Sequence, residues 1–179
     1  MGTPKVPLPA KLVISIISSS EGLINKAKGK LEEIFGKIDF VSEKLPFDYT
    51  DYYTKEMGKG LFRRFVSFAE PISRERLSEV KLITNRIEKE FSTFEGKRRL
   101  NIDPGFLALE HFILATTKSY THRPYLKDGI YVDLTLIYEK GSYRALKWTY
   151  PDYASEEIIN ILNTLRKEFI DDLKRRKLL

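Results

Sequence analysis

The chain has 179 residues, with 31 Lys and Arg against 25 Asp and Glu, a net charge of +6. Apolar residues at 42% and charged residues at 31% exclude a disordered chain and a membrane protein, and the length fits one α+β domain over residues 1–179. Cys is absent, which removes disulfides, thiolate metal sites and cysteine nucleophiles.

The charge is unevenly placed. Arg166 to Leu179 hold six basic and three acidic residues, half of the net charge in 14 residues. A helix ending in Lys174, Arg175, Arg176 and Lys177 is explained by complementing its own dipole, with tethering of nucleic-acid phosphates as the less favoured alternative. Met1 to Ala10 contain three prolines and no apolar signal core, so a cytoplasmic protein is expected. Gln is absent while Lys, Glu, Ile and Leu abound, a composition that leans toward a thermophile.

In chain order, Leu12 to Ile17 reads as a strand buried on both faces. Ser18 and Glu21 have capping-box spacing, and Leu23, Ile24, Ala27, Leu31, Ile34 and Phe35 mark the helix they open. Gly36 ends it, and Ile38 to Val41 is the next strand, giving a crossover between parallel strands. Ser42 to Gly60 is a long connection with the aromatic-acidic run Phe47 to Tyr53. Such loops inside a domain are usually functional.

Leu61 to Phe68 forms a strand with Phe62, Arg64, Val66 and Phe68 on one face. Ser73 caps a second helix with a stripe of Leu77, Val80, Ile83, Ile87 and Phe91. Arg98 to Ile102 is a short strand closed by the turn Asp103-Pro104-Gly105. The order so far is βαββαβ, a ferredoxin-like core. Phe112 to Thr117 extends it as a strand, with a short helix over Phe106 to Leu114 as the alternative. Ile130 to Tyr138 then alternates, with Ile130, Val132, Leu134 and Leu136 inward and Tyr131, Asp133 and Thr135 outward. It returns as a β-hairpin through Glu139 to Ser142, and Ser155 caps a last helix with Ile158, Leu162, Leu165, Phe169 and Leu173 inside.

Familiar nucleotide signatures are missing. No glycines stand at P-loop spacing before Lys and Ser or Thr, and Gly58-Lys59-Gly60 lacks the third glycine of a dinucleotide fingerprint. Two His and no Cys leave no structural zinc site.

Four constellations remain. Asp48, Asp51 and Glu56 group carboxylates on the long loop, a donor set suited to Mg²⁺, or simply a turn with solvated acids. Asn101 and Asp103 leave their strand on one face near its end, where ligand contacts gather, although Asp-Pro-Gly makes a turn by itself. Thr116 to Tyr125 collects Thr117, Lys118, His122, Arg123 and Tyr125: a point charge, a bidentate fork, hydroxyl donors and a group titrating near neutrality. Trp148 to Tyr153 offers aromatics that stack a base or pack the core, with Tyr150 and Asp152 open to either role.

These segments, together with Pro7 to Leu12, Pro46 to Gly60, Arg63-Arg64-Phe65, Asn101 to Gly105, Ala115 to Lys118, His122-Arg123, Gly129-Ile130-Tyr131 and Trp148 to Tyr153, resemble a prokaryotic family catalogued as a domain of unknown function, number 4416. Some of its members carry the label of a GTP-binding protein. The resemblance covers nearly the full length and points to the polar loops.

Two functions follow from the residues. In the first, a phosphorylated small molecule or nucleotide is bound by Thr117, Lys118, Arg123, Asn101, Tyr125 and Tyr150. His122 and Asp103 then move protons, and Asp48, Asp51 and Glu56 hold Mg²⁺. In the second, the protein is a non-catalytic RNA- or protein-binding module. Exposed Arg63, Tyr131 and Tyr143 would interleave there with Lys97-Arg98-Arg99 and the basic tail.

Overall fold

The computed structural model describes residues 1–48 and 54–179. The first apolar run forms β1 (Lys11–Ser18), buried at every position as a strand covered on both faces must be. It lies between β4 (Phe62–Phe68) and β5 (Asn101–Leu107), antiparallel to both. β2 (Ile38–Val41) and the two-residue β3 (Leu45–Pro46) pair with β4 on its far side. Beyond β5 come β6 (His111–Thr116) and β8 (Ile130–Glu139), and β8 also pairs with β7 (Tyr125–Lys127) and β9 (Ser142–Ala145). Among the described residues these nine strands form one antiparallel sheet in the order β2-β4-β1-β5-β6-β8-β7, with β3 on β4 and β9 on β8. β1 and β2 run parallel but do not pair, because β4 lies between them.

Helices cover both faces. α1 (Glu21–Phe35) starts at Ser20, whose hydroxyl accepts from the Leu23 N–H, rather than at Ser18. Ser18 is fully buried and donates to the Arg99 carbonyl instead. After the single turn α2 (Thr54–Met57), a 3₁₀ turn over Arg74–Arg76 leads into α3 (Leu77–Glu90), and Ser73 makes no side-chain cap. Leu23, Ile24 and Leu31 of α1 and Leu77, Val80 and Ile87 of α3 pack on Leu12, Ile14 and Ile16 of β1. On the opposite face α4 (Glu156–Arg175) lays Ile158, Leu162, Leu165, Phe169 and Leu173 against Val13, Phe65, Phe112 and Leu136. Around β1, β4 and β5 both faces of the sheet are therefore covered. Arg63 and Tyr143, expected as exposed groups, are only 4% and 1% exposed.

Two local patterns depart from the sequence reading. Asp103-Pro104-Gly105 is no turn: it runs through the middle of β5, opposite Ser15, Ile14 and Val13 of β1. β5 pairs with β6 only from Gly105 onward. At Pro104 the strand thus has an unpaired outer edge, the situation in which proline is tolerated. Gly105 is required by close approach, since a Cβ there would lie 2.5 Å from Phe112 Cζ and 2.8 Å from the Ile113 carbonyl oxygen. Strand pairing of Phe106–Leu107 and of β6 also rules out the helical alternative for Phe106 to Leu114.

The second departure is in β8. Phe112 faces Leu136 while Ile113 faces Leu134, so Thr135 is an extra residue and the alternation breaks there. Ile130 packs toward α1 and α3, whereas Leu136 packs toward α4. Asp133 and Thr135, expected outward, are buried at 4% and 1% exposure.

Candidate functional site

Where β5 and β6 part, the sheet opens into a cleft of about 600 Å³. Its origin is local. Pro104 has no N–H to give β6, so the strands separate on the N-terminal side of Gly105. The exposed edge of β5 is completed from α3 instead. Glu88 accepts from the Ile102 N–H at 2.5 Å, and Lys81 Nζ donates to the Ile102 carbonyl at 3.1 Å. Lys81, Asn85 and Glu88 are spaced i, i+4 and i+7, so they line the cleft as one polar stripe beside the apolar stripe of α3.

Asp103 ties this wall together. Its Oδ1 accepts from Lys81 at 2.9 Å and its Oδ2 from Asn101 Nδ2 at 2.6 Å. Burial by itself would raise the Asp103 carboxyl, but the Lys81 ammonium and the Asn101 amide outweigh it and hold it below the usual carboxylate range. Glu88 behaves oppositely. Burial pushes its pKa up to about 7 against the opposing pull of Lys81, and neighbouring Asp103 adds to the rise.

The facing wall comes from the end of β6, the following loop and β8. Thr116, Thr117, Lys118, Arg123, Asp133 and Tyr150 line it. Buried Asp133 is the organiser. Its Oδ2 accepts from Arg123 Nε at 2.8 Å and lies 3.3 Å from His122 Nε2, while Oδ1 accepts from the Thr135 hydroxyl at 3.1 Å. Arg123 also donates to the Tyr150 hydroxyl at 3.1 Å. His122 does not line the cleft. It stands behind Asp133, stacked on Trp148 at 5.1 Å with Tyr120 at its edge.

The floor holds a buried ion pair. Arg63 Nη2 donates to Asp152 Oδ2 at 2.7 Å, and the guanidinium lies 4.9 Å from the ring centres of both Phe47 and Tyr153. Aromatic faces and one carboxylate together make a charge in this place tolerable.

The sequence candidates divide accordingly. Asn101, Asp103, Thr117, Lys118, Arg123 and Tyr150 converge on the cleft. Tyr125 does not; it packs on Tyr131 at the sheet edge, 5.3 Å between ring centres. Of the carboxylates assigned to Mg²⁺, Asp51 lies outside the described residues and Asp48 is exposed, next in the chain to the cleft residue Phe47. Glu56 binds Arg98 at 2.6 and 2.9 Å, bonds that hold its carboxyl below the ordinary value. Among the described residues no three His, Asp or Glu side chains gather as a metal site. Sequence reading missed Lys81, Glu88 and Asp133, and named Arg63 and Arg98 only as groups of an exposed binding face. Only the polar i, i+4, i+7 stripe on α3 was a signal for any of them.

A family model described as "Domain of unknown function (DUF4416)" matches residues 8–169, a span that includes every described residue lining the cleft. The chain belongs to this family. Neither the curated proteins nor the solved structures contain a match to it. Among the described residues of this DUF4416 protein, no helix is long and apolar enough to cross a membrane.

Proposed function

We propose that the cleft binds a phosphorylated small molecule, nucleotides included, with Lys118 and Arg123 as the principal phosphate contacts and Thr117, Asn101 and Tyr150 as neutral donors. The observation that carries this reading is the convergence of five cationic side chains, Arg63, Lys81, Arg98, Lys118 and Arg123, on one cleft with four carboxylates. Burial raises one of those carboxylates, Glu88, to a pKa of about 7. Asp133 acts at one remove, holding the Arg123 fork in place, and His122 braces Asp133 from behind. Asp103 is the carboxylate within reach of a bound ligand. Mg²⁺ would arrive on the ligand phosphates, since it keeps waters and needs only one or two protein carboxylates; exposed Asp48, which follows the cleft residue Phe47 in the chain, is the candidate to supply one. The strand order β2-β4-β1-β5, antiparallel throughout, supports reading the first half as a ferredoxin-like unit.

Thermal unfolding with sugar phosphates, nucleotides and pyrophosphate, with and without Mg²⁺, tests this. A ligand at 100 times its Kd adds about 2.7 kcal/mol, a shift of several degrees. The shift is expected for wild type and reduced in Lys118→Ala. No shift across the panel, or an equal one in the variant, overturns the reading.

A further inference from the structure

We propose that Glu88 is the proton acceptor of the cleft: an oxyanion entering the cleft binds together with one proton, which Glu88 takes from the buffer. This inference rests on the anion-binding reading above.

The geometry leaves Glu88 little else to do. The residue is 9% exposed and lines the cleft. Its Oε1 is fixed by the Ile102 N–H. Its Oε2 has no hydrogen-bond donor among the described residues. The groups acting on it are Lys81 of its own helix, Asp103 of β5 and Arg98 in the approach to β5. Both cations are already engaged, Lys81 by Asp103 and the Ile102 carbonyl, and Arg98 by Glu56. Glu88 is thus a nearly dry carboxylate without a dedicated counterion, and its titration near neutrality is consistent with that.

A bound oxyanion adds a negative charge to this surrounding and stabilises the protonated acid further. The protonated Oε2 then becomes a donor to the ligand oxygen. The balance is simple: one O–H bond forms at Glu88, one proton leaves the buffer, and both are reversed on release. No redox partner or co-reactant is involved. The ligand class is a tetrahedral or carboxylate oxyanion able to accept a hydrogen bond from a neutral acid.

Calorimetric titration with sulfate, which itself does not titrate in this range, decides the matter near pH 6 and near pH 8 in two buffers of different ionisation enthalpy. Wild type is expected to take up close to one proton per sulfate near pH 8, and its affinity should fall by up to about tenfold per pH unit above neutrality. Glu88→Gln keeps the acceptor for Ile102 and a donor toward the cleft. It should bind without proton uptake, with affinity flat in pH, and tighter than wild type near pH 8. Sulfate binding by wild type with no uptake and no pH dependence overturns the proposal while the anion-binding reading stands. Uptake that persists unchanged in Glu88→Gln overturns the assignment to this residue. No binding at either pH removes both readings.

Discussion

The two walls of the cleft handle charge in opposite ways. On the β6–β8 wall one buried carboxylate, Asp133, serves both Arg123 and His122. On the α3–β5 wall two carboxylates, Asp103 and Glu88, share the field of one ammonium, Lys81. The first wall holds Lys118 and Arg123 and is braced by Asp133; on the second, burial raises Glu88 to a pKa of about 7. In the proposed reading, the first wall receives the anion and the second adjusts its charge through Glu88.

Breaking the brace should have the largest effect. Asp133→Ala leaves the Arg123 side chain, 8% exposed, without its carboxylate. Removing one partner of a buried pair costs about 3–5 kcal/mol, read by denaturant unfolding. Adding Arg123→Met should restore much of the loss, and an equally unstable double variant would show that Asp133 matters for another reason.

The second wall should announce itself through pH. Glu88 binds more protons folded than unfolded between the ordinary glutamate value and about pH 7. Its contribution to stability is therefore greatest at low pH and falls as pH rises through that window, by up to about 3 kcal/mol. Glu88→Gln should flatten this part of the stability curve. Asp103→Asn should move the fall to lower pH, because the Asp103 charge adds to the rise of Glu88; an unmoved fall would show that it does not.

Gly105 tests where the walls meet. Gly105→Ala drives a methyl against Phe112 and the Ile113 carbonyl. Overpacking of this kind costs about 1–3 kcal/mol and should lower the melting temperature. Smallest is Ser155→Ala, which removes the α4 cap to Ile158. It should cost about 1 kcal/mol and leave ligand-induced shifts unchanged.

Periodicity made the helices and most strands legible. The stripe from Ile158 to Leu173 and the buried run of β1 need no partner to be recognised, because 3.6- and 2-residue repeats are local properties. Asp103-Pro104-Gly105 misled for the converse reason. Its turn chemistry is local, but pairing with β1 outweighs it, and Pro104 ends up splitting β5 from β6 rather than reversing the chain. Asp133 was hidden by the bulge at Thr135, which no alternation pattern reveals. The candidate site was half legible: Lys118, Arg123 and Thr117 are neighbours in one polar segment. Arg63 and Asp152, by contrast, meet across 89 positions, and Lys81 and Glu88 join Asp103 only because β5 lacks a partner on that edge.

The most direct test of the central claim is backbone amide chemical-shift mapping by NMR during titration with pyrophosphate. The account predicts saturable shifts concentrated in residues 101–105 and 116–123 and along the α3 stripe from Lys81 to Glu88. Shifts centred on Lys174 to Lys177, or none that saturate, would contradict it.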